Sequence, residues 1–335
     1  MLPSEPFGTA YGRRITRYFL RNTRGTQVGI LDLGGIVQEF TVIHQGRRHP
    51  LIASLPDAAA YAADRFQLNK QIGRVAGRIR NAEFELGGHT CRVEANENGH
   101  NLHGGSHGFG SRVFDAVQTS PHEIELSTLV REAEDGFPNE LALTIRYRLD
   151  EDDSLTVSYH ARAHGDTVFD PTLHIYWLLE PELRNTRLHI PHGEHAVLDA
   201  DKLPTGAFNR DPLYDFSDGR PLDAAVQALL TERGIAGLDE VYRVPADSSQ
   251  AAATLHTGSH RIRIFSSRNG LVVYTAHPTD PAEHQAGRYN AIATEAQTLS
   301  DSLHHPEFGN IRLADGQTAS ALIRYQISPD HAAAS

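Results

Sequence analysis

LALTIRYRLDEDDSLTVSYHARA, from Leu141 to Ala163, is the stretch that decides the fold. Leu141, Leu143, Ile145, Tyr147 and Leu149 fall on every second position, with alanine, threonine or arginine between them. A period of two puts these side chains on one face of an extended strand. Asp150 to Asp153 interrupts the pattern with turn-forming residues, and alternation resumes at Leu155, Val157, Tyr159 and Ala161. Strand, turn, strand, each with one apolar face, is the signature of a sheet buried on one side.

The same rhythm extends outward from this pair. Ile36–Ile43, Glu123–Leu129, Arg261–Ser266 and Leu271–Thr275 read as further strands, and Asn290–Thr294 as another, just before Glu295. Turn signals separate them at Asp32–Gly35, Gly87-Gly88, Asn269-Gly270 and Asp315-Gly316. Helical periodicity is confined to Leu222–Arg233 and, more weakly, Asp57–Ala63. Many strands at short spacing with few short helices point to an all-β fold, a large antiparallel β-sandwich or closed barrel. With no linker, repeat or low-complexity tract, residues 1–335 read as one domain; only 331–335 read as a frayed tail.

Composition narrows the function. Lys and Arg total 31 against 42 Asp and Glu, and a net charge of -11 repels a phosphate backbone, which argues against a nucleic-acid partner. Cys91 is the only cysteine, so an intrachain disulfide and a thiolate zinc site are excluded. The first twenty residues lack the apolar core of a secretory signal, and no run approaches eighteen apolar residues, so no membrane association is expected and the expected location is cytoplasmic.

GRVAGRIRNAEFELGGHTCRVEANENGHNLHGGSHGF, Gly73 to Phe109, is the most unusual segment. Arg74, Arg78 and Arg80 stand at its start, and Asn96, Asn98, Asn101 and His103 precede Gly104-Gly105. Such donors and acceptors suit the hydroxyls of a sugar; the alternative is a solvated loop whose glycines only turn the chain. Gly104–Ser111 lacks the lysine and the strand-to-helix context of a phosphate loop. In DPTLHIYWLLEP, Asp170 to Pro181, an extended run places His174 and Tyr176 on one face, where an imidazole can move a proton and an aromatic ring can stack on a sugar. His174 read alone is more often a hydrogen-bonded core histidine than a catalyst. Glu295, in ATEAQ, is costly if it faces inward unless bonded or functional; an outward-facing reading stays open, as does a plain loop role for Asp239. Twenty histidines raise the question of metal, but His192 with His195 and His304 with His305 lack metal-helix spacing, so no metal is expected, nor an organic cofactor. No G-x-S-x-G elbow is present, which argues against serine-hydrolase chemistry.

Taken in order, these segments resemble the aldose 1-epimerase (galactose mutarotase) family over about Gly29 to Tyr325. GRVAGRI at Gly73–Ile79 is similar to the family's G-R-x-x-N-R-I, NLHGG at Asn101–Gly105 to its N-x-LHGG, and DGFPNE at Asp135–Glu140 to its EGFPG. LHIYWLL at Leu173–Leu179 resembles N-H-x-Y-F-N-L, LPTG at Leu203–Gly206 the P-T-G loop, and TEAQ at Thr294–Gln297 the E-x-Q. Gly77, Leu173 and Leu178 depart from it, each standing where the family carries an asparagine. The resemblance implies a galactose mutarotase-like sandwich that interconverts the anomers of a free aldohexose such as galactose or glucose. It implies that Glu295 is the general base and His174 the general acid, with Arg78, His103 and Asp239 binding hydroxyls; Tyr176 is expected to bind the sugar with them. Two rivals remain on the same fold. One is a carbohydrate-binding protein without catalysis; the other is a sugar-phosphate epimerase, for which Arg74 and Arg80 would supply the cations. A lyase or hydrolase with a long groove would need more aromatic surface than one Trp and 7% aromatic residues provide. Oligomeric state is not legible.

Overall fold

The computed structural model describes residues 3–179 and 185–330, so the tail at 331–335 lies outside the described residues. The deciding pair forms as Glu140–Leu149 and Ser154–His164, antiparallel, with Leu143 opposite Ala161, Ile145 opposite Tyr159 and Tyr147 opposite Val157. All six are buried, and each large one contributes about 1.5–3 kcal/mol by leaving water. Gln71 stitches the tyrosines on that face to the rest of the molecule: its Nε2 donates to Tyr147 Oη (2.6 Å) and its Oε1 accepts from Tyr159 (2.7 Å).

Three antiparallel sheets carry the architecture. A five-stranded meander runs through Ser4–Ala10, Arg13–Arg21, Gln27–Leu31, Val37–His44 and Arg47–Pro50. A nine-stranded sheet contains the deciding pair, and its centre is the strand Thr318–Pro329, lying between Ser154–His164 and His260–Ser266. A six-stranded sheet follows the order Ile175–Leu178, Ala291–Gln297, Gly270–Ala276, Asp239–Arg243, His195–Leu198 and Pro204–Asn209. One apolar cluster joins the three, drawing on Phe40, Ile145, Trp177 and Tyr325 among others. Trp177 is fully buried, and its indole N–H donates to Thr294 Oγ1 at 3.0 Å.

Among the described residues the helices are Ala58–Ala63, Glu132–Asp135, Leu222–Arg233 and Pro281–Gln285, all short, and none is long and apolar enough to cross a membrane. Asp57 caps the first by accepting from Ala60 N, and Leu222–Arg233 keeps the bounds expected from its periodicity. The strand expected to stop at Thr294 runs instead through Ala291–Gln297 and contains Glu295, because Gly270–Ala276 pairs with it along its whole length.

Candidate active site

The register of the six-stranded sheet builds the site. Every residue of Ala291–Gln297 is buried, with Ile292, Thr294 and Ala296 on the core face, so Ala293 and Glu295 project from the opposite face. Across the strands Val272 pairs with Glu295 and Val241 with Val272. On the other side Ile175 pairs with Thr294, which brings the preceding His174 level with Glu295. This gives one row: His174, Glu295, Val272, Val241. Two residues along, about 7 Å, a second row reads Tyr176, Ala293, Tyr274, Asp239. Alanine and valine leave room above the floor, and a cleft of about 430 Å³ opens there.

Arg78, His103, His174, Tyr176, Asp239 and Glu295, all expected from the sequence, line this one cleft. Of the two readings of Glu295, the inward one holds: it is 3% exposed. Its Oε1 lies 3.3 Å from His174 Nε2, while Oε2, 3.8 Å from His103 Nδ1, has no hydrogen-bond partner in the structure. Burial pushes the Glu295 carboxyl up to about 8, aided by the nearby Asp239 charge and opposed by Arg78. Burial moves His174 the other way, down to about 3, with Lys70 contributing, and holds His103 well below the ordinary imidazole range, helped by His174 and Arg78. Both shifts have one origin: burial disfavours the charged form, the carboxylate of Glu295 and the imidazolium of His174 alike.

Local structure fixes each group. His174 N–H donates to Lys70 O and His174 O accepts from Asn69 N–H, both at 3.0 Å. The Asn69 side chain accepts from Tyr176 N (2.8 Å) and donates to Ala53 O (2.7 Å), so this corner serves as the missing neighbour of an edge strand. Tyr176 lies with His174 on one face, as the period of two requires. It has no exposed surface, however: its ring is stacked on the imidazole at 4.9 Å and its hydroxyl donates to Phe66 O at 2.7 Å. His103 enters from the short strand Asn101–Leu102, paired with Arg78–Ile79. Its Nδ1 accepts from Gly77 N–H at 3.3 Å, which puts the ring proton on Nε2. Gly104 behind it has φ 80°, and a Cβ there would meet Gly73 O at 2.1 Å, so only glycine lets the loop close.

Several partners were not singled out in the sequence. Glu97 holds Arg78 in a bidentate pair at 2.6 and 3.0 Å, and Lys202 Nζ lies 4.0 Å from Asp239 Oδ2. Glu97 sits inside the Gly73–Phe109 segment and Lys202 directly before LPTG, but ion pairing between loops leaves no local pattern. Of the asparagines that the sequence did single out, Asn96 lines the cleft while bonding both backbone groups of Leu102, and Asn101 is buried and donates to Glu94 O.

The two arginines that kept a sugar-phosphate reading open lie elsewhere. Arg74 is fully buried and forks onto Asp135 at 2.8 and 2.9 Å, joining GRVAGRI to DGFPNE; Arg80 pairs with Asp199 and Asp301. Neither lines the cleft. The departures from the family pattern are absorbed as well. A Cβ on Gly77, at φ 71°, would meet Ser300 Oγ at 2.6 Å and Gln297 Nε2 at 2.8 Å, so these side chains occupy the space of the missing asparagine. Leu173 belongs to the apolar core, away from the cleft.

Ligating atoms of His103, His174 and Glu295 come within 4.8 Å of one another, a spacing that would also suit an ion. The His103 nitrogen nearest Glu295 already accepts the Gly77 N–H, which makes the set a poor fit for one. Of the histidines noted in the sequence, His195 faces Glu240 and His304 faces Asp301.

Known proteins are similar to this chain over nearly its whole length. The family model described as Aldose 1-epimerase matches residues 16–326. A maltose epimerase from Levilactobacillus brevis is 37% identical, over 95% of this chain and 96% of its own. An aldose 1-epimerase from Streptococcus thermophilus is 30% identical over 96% and 97%. The crystal structure of a galactose 1-epimerase from Lactobacillus acidophilus superimposes with a TM-score of 0.84 at 22% identity, covering 99% of this chain and 100% of that one.

Proposed function

This chain belongs to the aldose 1-epimerase family, and on that premise we propose that Glu295 and His174 carry its two proton transfers. It is an isomerase that interconverts the α and β anomers of a free sugar by opening and reclosing the ring. Ring opening takes the proton from the C1 hydroxyl, forms the C1 carbonyl as the C1–O5 bond breaks, and delivers a proton to O5. The supporting observation is the 3.3 Å contact between Glu295 Oε1 and His174 Nε2 on the buried floor of the cleft.

In the empty site the shared proton rests on Glu295. An incoming C1 hydroxyl donates to Oε2, the oxygen without a partner, and so favours the carboxylate; the proton crosses to His174 Nε2 with no change in net charge. Glu295 then accepts the C1 proton while the imidazolium protonates O5. Rotation about C1–C2 and reversal of both transfers give the other anomer. Arg78 and the His103 Nε2–H bind hydroxyls and stabilise negative charge on oxygen, and Asp239 accepts from a hydroxyl over the second row. Tyr176 is a positioning residue that fixes the plane of the His174 ring.

An aldohexose such as galactose or glucose is the substrate this floor suits, and the maltose epimerase relative points to reducing disaccharides as well. Cys91 as the only cysteine supports a reducing, cytoplasmic setting. The test is polarimetry of freshly dissolved α-glucose and α-galactose with wild type beside Glu295→Gln. Wild type should speed relaxation, and the variant should lose at least about 10²-fold in kcat while still binding sugar. Full activity in the variant would remove Glu295 from the role; sugar binding by wild type without acceleration would favour a binding protein.

A further inference from the structure

We propose that Ser300 is a specificity-determining residue, donating a hydrogen bond to the C2 hydroxyl of the sugar whose C1 lies at Glu295. This rests on the mutarotase reading above. Ser300 lines the cleft together with Gly77, His103 and Glu295, yet it is only 6% exposed, so its hydroxyl belongs to the built wall of the cleft and not to the open surface.

The wall holds that hydroxyl in one sense. Gln297, two residues beyond Glu295 and on the same face of Ala291–Gln297, is fully buried, and its Nε2 donates to Ser300 Oγ at 3.0 Å. The amide makes no other side-chain hydrogen bond, its Oε1 being buried without a partner, so the bond to Ser300 is what orients it. Ser300 Oγ, having accepted this bond, keeps its own proton to give, and it donates to no acceptor among the described residues. A hydroxyl held out of water with its donor unused is completed by a ligand oxygen. Gly77 keeps the approach open. A Cβ there would come within 2.6 Å of Ser300 Oγ, and both backbone groups of Gly77 are committed to His103, N–H to Nδ1 at 3.3 Å and C=O to N–H at 3.0 Å.

The turn that carries Ser300 is fixed on both sides. Ahead of it, Thr298 N–H (3.0 Å) and Oγ1 (2.9 Å) donate to the Asp170 carboxylate, and Leu299 N–H donates to Asn269 Oδ1 at 3.2 Å. After it, Asp301 is held left-handed at φ 59°, and its buried carboxylate accepts from Arg80 N–H at 3.1 Å and faces His304 Nδ1 at 2.7 Å. A group on such a turn loses little freedom when it binds. Position then selects the sugar hydroxyl. The mechanism puts C1 at Glu295 and O5 at His174. Asp239 and Tyr274 stand in the row of Ala293, one way along the strand from Glu295, whereas Gln297, and Ser300 with it, stands the other way, about 7 Å along. The hydroxyls of C3, C4 and C6, remote from C1, lie toward the row of Asp239. The one left on the Gln297 side is carried by C2, the neighbour of C1.

The experiment measures kcat/KM for mutarotation of glucose, 2-deoxyglucose and 6-deoxyglucose with wild type, Ser300→Ala, Gln297→Met and the double variant. Ser300→Ala removes one oxygen and adds no volume, so it does not put folding at stake. The expected result is that Ser300→Ala lowers the glucose-to-2-deoxyglucose ratio of kcat/KM about tenfold, mainly through KM, and leaves the glucose-to-6-deoxyglucose ratio where it was. Gln297→Met should lower the first ratio too, and the double variant should lower it no further than Ser300→Ala does, because the amide acts through the hydroxyl. A glucose-to-2-deoxyglucose ratio unchanged in Ser300→Ala overturns the contact, whatever happens to the overall rate. A fall in the 6-deoxyglucose ratio instead overturns the assignment to C2. Losses that multiply in the double variant overturn the part given to Gln297. No turnover of any of the three sugars by wild type overturns the mutarotase reading and the role of Ser300 with it.

Discussion

At the scale of single residues, the proposed mechanism turns on one shared proton. In it the Glu295–His174 pair holds one proton and loses it with the group lifted to about 8, whereas a second proton would have to enter an imidazole lowered to about 3. We expect kcat/KM for mutarotation, corrected for buffer catalysis, to be level from about pH 5 to 7.5 and to fall about tenfold per unit above about pH 8. A limb centred near 6.5 would instead assign the titration to a histidine and take the proton off Glu295. Much of this site was legible beforehand because its members sit in short ordered motifs: Arg78 in GRVAGRI, His103 in NLHGG, His174 in LHIYWLL, Glu295 in TEAQ. What could not be read is what each one leans on. Glu97, Lys202 and Asn69 act through contacts between loops, and nothing near them in sequence marks that role.

Elements are joined by a buried clamp as well as by strand pairing. Arg74, between the short strands Gln71–Ile72 and Arg78–Ile79, forks onto Asp135 in the helix Glu132–Asp135 and donates to Thr167 Oγ1 at 2.7 Å, with no exposure at either end of the ion pair. Arg74→Met leaves Asp135 buried without its cation, and we expect a loss of about 3–5 kcal/mol in denaturant unfolding. Asp135→Asn together with Arg74→Met should recover part of it; if the single change costs under about 1 kcal/mol, the clamp is not structural. At this scale the sequence was readable wherever one face of a strand is wet. Glu140–Leu149 and Ser154–His164 alternate for that reason, while Gln27–Leu31 is buried on both faces and shows no alternation to detect. Ser4–Ala10 fails for the opposite reason, being exposed nearly throughout. The order of strands in the nine-stranded sheet depends on pairings across more than a hundred residues and has no local signature.

For the molecule as a whole, the buried carboxyl of Glu295 is a burden on stability. A carboxyl raised from 4.5 to about 8 binds its proton more tightly folded than unfolded, so its contribution is intact below about pH 4.5 and is lost as pH rises through about 8. Glu295→Gln has no such proton to lose. Its advantage over wild type in unfolding free energy should therefore widen between pH 5 and pH 9, reaching on the order of a few kcal/mol. A constant difference across that range would show that the carboxyl titrates normally in the folded state. The strand Thr318–Pro329 adds a consequence of another kind. It fills the middle of the largest sheet, between strands that are made some sixty and more than one hundred and fifty residues earlier. During translation, the sheet that carries Glu295 and His174 leaves the ribosome complete while Ser154–His164 and His260–Ser266 still present open edges to each other and to any neighbouring nascent chain. Chaperone protection should matter most in that interval, which closes only when residue 329 clears the exit tunnel.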